Sequence, residues 1–130
     1  MTESAFDYLD ALSVLEQPDG VIAFPTDTVY GLGCKVGHAE AVARIYRIKG
    51  RDEQKPLVLL GYEQQSFVPF VADLPGVALD LMERYWPGAL TLVLPKSELV
   101  PEAVTRGLDT VALRVPDCPV FRELLKLVPR

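Results

Sequence analysis

At 130 residues the chain suits one domain and is too short for two ordinary ones. A hydrophobic share of 49% supports a sizeable core and argues against wholesale disorder, and no apolar run approaches the about 20 residues of a membrane-spanning helix. The net charge of −5 is not the usual footprint of a protein that coats nucleic acid.

Taken in chain order, Ala5, Tyr8, Leu9, Leu12 and Leu15 recur at helical spacing and predict a first helix with Ser4 as N-cap. Gln17-Pro18-Asp19-Gly20 is a turn, and Val21-Ile22-Ala23-Phe24 reads as a short buried strand. A second helix is predicted over 39–49, with Val42, Ile45 and Tyr46 inward and Gly50 as the residue that stops it. Leu57-Val58-Leu59-Leu60 is another apolar strand. Pro75-Gly76 opens a third helix, which Trp86-Pro87-Gly88 ends. Strands are predicted over 89–94 and 110–115, and Pro119 fits the first turn of a last helix that runs to about Leu127. Strands alternating with helices predict an α/β fold around a twisted sheet buried on part of both faces, in one domain spanning 1–130.

The start, Met1-Thr2-Glu3-Ser4, lacks the basic and apolar stretches of a signal peptide, so the expected location is the cytoplasm. Cys34 and Cys118 form no CxxC pair and read as small core residues, and no metal site is expected.

Three segments carry candidate chemistry. In Phe24-Pro25-Thr26-Asp27-Thr28-Val29-Tyr30-Gly31-Leu32-Gly33 a strand ends at a proline, and hydroxyl, carboxylate and hydroxyl follow at once. The ends of buried strands are where open α/β sheets place ligands, and the glycines would let backbone approach a small polar substrate. Taken alone, an ST-turn capping a loop explains the segment slightly better. No GxxxxGK[ST] motif occurs, and Gly31-Leu32-Gly33 lacks the third glycine of a dinucleotide fingerprint.

Arg44, Arg47, Lys49, Arg51 and Lys55 place five of the thirteen basic residues in one short stretch. Within it, Lys49-Gly50-Arg51 offers a compact ammonium and a planar guanidinium that can face one phosphate chain. A solvated helix end that complements the macrodipole is the alternative, and a cluster in an acidic chain weakens it.

The segment Thr110-Val111-Ala112-Leu113-Arg114-Val115 puts Val111, Leu113 and Val115 on one face, and Thr110, Ala112 and Arg114 on the other. An arginine central to an apolar strand must be paired or face a polar cavity. A ligand carboxylate or phosphate satisfies it, and so, equally well, does a salt bridge to Asp27 or Asp109. Trp86 reads better as a core anchor than as the wall of an adenine pocket, and His38 has no partner pattern for a general base.

Together these segments, with Trp86-Pro87-Gly88-Ala89-Leu90-Thr91-Leu92-Val93-Leu94 and Gly107 through Pro116, resemble the YrdC-like family of threonylcarbamoyl-AMP synthases in order and spacing. The resemblance implies a twisted, mixed sheet flanked by helices. It also implies a nucleotidyltransferase: L-threonine and bicarbonate or CO2 form a carbamate, which attacks the α-phosphate of ATP. The products are threonylcarbamoyl-AMP, which serves the t6A modification of tRNA, and pyrophosphate. By position, Thr26 would contact threonine and Arg114 would bind its carboxylate. Lys49 and Arg51 would act catalytically on the ATP phosphates, with Lys55 and Thr110 also at the nucleotide. Mg²⁺ would accompany ATP. The partners implied are proteins that transfer the product to tRNA. No membrane is expected.

Family members continue past the equivalent of Leu127 into a strand and a Ser/Thr-x-Ala-Asn-like motif, so the chain resembles the first two-thirds of the domain and is expected to be C-terminally truncated. Leu127-Val128-Pro129-Arg130 spells either a tag remnant or native sequence. A truncated sheet is expected to expose an edge that could pair in a homodimer, against which a monomeric mass in light scattering would count. The alternatives to the enzyme are a module binding double-stranded RNA or tRNA through the basic cluster, and a non-catalytic fragment.

Overall fold

The computed structural model describes residues 7–27, 31–49 and 56–127. Helix α1 runs Tyr8–Leu15 and buries Ala11 and Leu15. Its N-cap is Asp7, whose carboxylate accepts the backbone N–H of Asp10 at 3.0 Å. The cap expected at Ser4 is thereby corrected: Asp7 satisfies an orphan donor of the first turn, and Ser4 lies outside the described residues. The turn at Gln17 to Gly20 closes with a Gly20 N–H to Gln17 carbonyl bond of 3.0 Å.

Strands β1 (Ile22–Phe24) and β2 (Gly31–Gly33) form an antiparallel pair in which Phe24 faces Gly31. A Cβ on Gly33 would sit 2.5 Å from the Phe24 ring, and one on Gly31 would sit 3.3 Å from it. These two glycines thereby make room for the ring. Phe24 is buried and stacks on Phe121, with centroids 4.3 Å apart.

Helix α2 (Ala39–Lys49) buries Ala41, Val42, Ile45 and Tyr46, as its periodicity predicts. Strand β3 (Val58–Leu60) leads into a 3-10 helix, Gln64–Phe70, that the sequence reading does not contain. Helix α3 (Gly76–Tyr85) is followed by β4 (Leu92–Pro95). The strand starts later than Ala89 because the preceding residues are used in a turn: Leu90 accepts the Trp86 indole N–H at 2.7 Å, and the Gly88 N–H reaches Val115 at 2.8 Å. A short helix α4 (Glu102–Thr105), β5 (Thr110–Arg114) and α5 (Pro119–Leu127) complete the order.

The second sheet is mixed, in the order β3-β5-β4, with β3 parallel and β4 antiparallel to β5. Its inner face buries Val111, Leu113 and Leu94 against Val42 and Tyr46 of α2 and Met82 of α3. A separate cluster joins Ala11, Phe24, Cys118, Phe121 and Leu124, tying the β1–β2 hairpin to α1 and α5. Trp86 packs on Phe67 at 5.4 Å beside the first cluster, as a core anchor.

Candidate functional site

A cleft of about 560 Å³ runs along the seam between the hairpin and the mixed sheet. Most of its wall is apolar, from residues such as Ile22, Leu57, Leu59 and Phe70. Into this wall three of the candidate residues bring polar groups from separate elements: Thr26 from the loop after β1, Lys49 from the end of α2 and Arg114 from the end of β5. An apolar cleft with a few convergent polar groups is the usual form of a small-molecule site.

Arg114 occupies the last position of β5, opposite Leu60 of the parallel β3, so it sits at the carboxyl end of both strands. The buried residues alternate with it as the period-two reading predicts: Val111, Leu113 and Val115 are buried, and Thr110, Ala112 and Arg114 are not. Its Nε donates to the Gly88 carbonyl at 2.9 Å, and Nη2 donates to Asp27 Oδ1. Of the two salt-bridge partners left open, Asp27 is the one found. The Asp109 carbonyl instead accepts the Lys96 N–H at 2.9 Å. Arg114 thus has an internal partner, as the salt-bridge reading expects, and also lines the cleft.

Lys49 is exposed and makes no ion pair with a described residue. Its position at the helix end fits the macrodipole, and the same position turns it to the cleft. Arg51 and Lys55, the other candidate phosphate-binding residues, lie outside the described residues. Thr110 shares the sheet face of Arg114 at the opposite end of β5, about 13 Å away along the strand, and does not line the cleft.

Three more polar groups of the wall are Lys35 and Ser66, which the sequence reading passes over, and the thiol of Cys34, read as a core residue and found half-buried against the first cluster. Lys35 pairs with Glu16 at 2.5 Å, and this hydrogen bond and charge hold the Glu16 carboxyl below its usual value. Ser66 accepts the Glu63 N–H at 3.2 Å in a reciprocal cap of the 3-10 helix. Burial pushes the Cys34 thiol up to about 11. No local motif marks any of the three, because the cleft is assembled from chain segments far apart in sequence.

A model of the Sua5/YciO/YrdC family, described by the words telomere recombination, matches residues 14–129. The threonylcarbamoyl-AMP synthase of Pyrococcus abyssi is 44% identical over 85% of the chain, and that of Bacillus subtilis is 42% identical over 88%. The chain spans about a third of their length, 32% and 33%. The crystal structure of P. abyssi Sua5 complexed with L-threonine superposes with a TM-score of 0.88 at 39% identity, covering 98% of this chain and 36% of that one.

Proposed function

The chain belongs to the Sua5/YciO/YrdC family, and on that premise we propose that its cleft is the threonine end of a threonylcarbamoyl-AMP synthase site. The threonine amine would add to CO2 with loss of a proton, or to bicarbonate with loss of water, to give a carbamate. A carbamate oxygen would then attack the α-phosphorus of ATP, forming a new P–O bond while the bond to pyrophosphate breaks. The mixed anhydride so formed would be consumed by proteins that pass the threonylcarbamoyl group to tRNA. The cytoplasm is the location proposed with this assignment.

The observation that carries the proposal is the convergence of Thr26, Lys49 and Arg114, from three separate elements, on one largely apolar cleft. Arg114 would hold the threonine carboxylate through its remaining N–H groups, and Thr26 would meet the polar part of the amino acid. Lys49 would face the triphosphate, joined by Arg51 and Lys55. Thr110 is assigned to the nucleotide further along the same sheet face. Mg²⁺ would travel on the phosphate oxygens of ATP. No side chain is assigned as a dedicated base; the rate would come from holding the carbamate in line with the α-phosphate and from cations offsetting the charge that develops there.

Pyrophosphate release measured with each substrate omitted in turn tests the assignment. Release should require ATP, threonine and bicarbonate together. Release that persists without threonine would remove threonine from the assignment.

A further inference from the structure

We propose that Asp27 is the positioning residue that turns Arg114 into a carboxylate receptor. The inference deepens the function proposed above and rests on it. Arginine carries five N–H donors in a planar fork. The edge formed by Nε and Nη2 is already engaged, by the Gly88 carbonyl at 2.9 Å and by Asp27 Oδ1. Asp27 is itself held, because its Oδ2 accepts the backbone N–H of Asp117 at 3.1 Å. The guanidinium is thus fixed from the loop after β1 and from the α3–β4 connection, and its carboxylate partner is fixed from the β5–α5 connection. Both side chains are largely withdrawn from water, at 12% and 17% exposure.

Asp27 is not part of the cleft wall, whereas its neighbour Thr26 and its partner Arg114 both are. It therefore acts through Arg114 and not on the ligand. With one edge taken, the Nη1–Nη2 end of the fork is left for a ligand carboxylate to meet head-on. The pair is also charge-balanced, so this end of the cleft recognises a monoanion through directed hydrogen bonds. It offers a polyphosphate less than Lys49 does.

Two changes of opposite sign follow for Asp27→Asn. Loosening the fork weakens L-threonine, by about 10-fold in Kd. Removing the negative charge strengthens inorganic phosphate as a competitor. A merely structural role would weaken both ligands together. Calorimetric titration of wild type and D27N with each ligand reads this out. Unchanged threonine binding, or parallel loss of threonine and phosphate, overturns the proposal. A second readout needs no ligand and no variant at Asp27: the Nη2–H resonance of Arg114, the group that Asp27 accepts, in ¹⁵N-labelled wild-type protein, assigned by its loss in Arg114→Lys. It should exchange slowly with solvent, and an averaged, fast-exchanging signal contradicts the clamp. If wild type fails to bind threonine while this resonance is protected, the proposed substrate fails and the clamp stands.

Discussion

Cys34 shows how the cleft wall sets the behaviour of a single side chain. Its thiol lies half-buried beside apolar neighbours, and burial disfavours the thiolate, raising its pKa from the ordinary 9.0 to about 11. At about pH 8 the thiolate fraction falls about 100-fold against an unperturbed cysteine, so alkylation by iodoacetamide should be slower, by about 10-fold once the greater nucleophilicity of the more basic thiolate is counted. The sign for stability follows from the same shift. The folded state holds the proton more tightly, so this contribution is intact below about pH 9 and is lost as pH rises towards about 11. Melting temperatures of wild type and Cys34→Ala measured across that range should converge as wild type loses stability; parallel curves would refute the assignment. Arg114 was legible in the sequence because an isolated charge in a period-two apolar strand demands a partner. Which partner was not legible: Asp27 and Asp109 were equal candidates, and the choice is made by the approach of the loop after β1 to the end of β5.

At the scale of elements, long segments with clear periodicity were readable and short ones were not. α2 and α5 have an apolar stripe and a defined start or stop, and both are found as expected. β2 is three residues long, Gly-Leu-Gly, with no alternation to detect, and α4 is a single turn of four residues. The role of the β2 glycines emerges only once Phe24 is seen packed over them. Gly33→Ala should cost about 1–3 kcal/mol in urea unfolding, since the Phe24 ring is pinned by Phe121 and cannot move aside. Gly37→Ala is the control, as an added Cβ there meets nothing within 4 Å; it should be neutral or stabilise by about 0.4–1 kcal/mol. Equal losses at the two sites would contradict the packing account. Asp7→Ala should cost about 0.5–2 kcal/mol by removing the α1 cap, and an unchanged denaturation midpoint would show that the cap does not matter to the fold.

For the whole molecule, the sequence reading supplied an α/β class and a mixed sheet but no strand order. β5 lies between β3 and β4, so β3 and β4, consecutive in sequence, are not neighbours in the sheet. Pairings of this kind are set by tertiary packing and leave no trace in local pattern. Two apolar clusters result, one behind the mixed sheet and one behind the hairpin, with the cleft along their seam. This division predicts a difference between two core variants. Leu113→Ala in the first cluster should cost about 2–5 kcal/mol in chemical unfolding. Phe121→Ala in the second should cost about 3–5 kcal/mol and also weaken threonine binding, because the Phe24–Phe121 stack holds the strand that leads into the Thr26 and Asp27 loop. A Phe121→Ala protein that folds and binds threonine at full affinity would disprove that link.

The function proposed has threonine, bicarbonate and ATP meet in this cleft, and the most direct measurement follows the bicarbonate carbon. With ¹³C-bicarbonate, L-threonine and ATP, mass spectrometry of the products should show one labelled carbon in threonylcarbamoyl-AMP. The label should be lost on omitting threonine and in the Arg114→Ala and Lys49→Ala variants. Labelled product formed equally well by Arg114→Ala, or AMP released with no labelled adduct in wild type, would contradict the account.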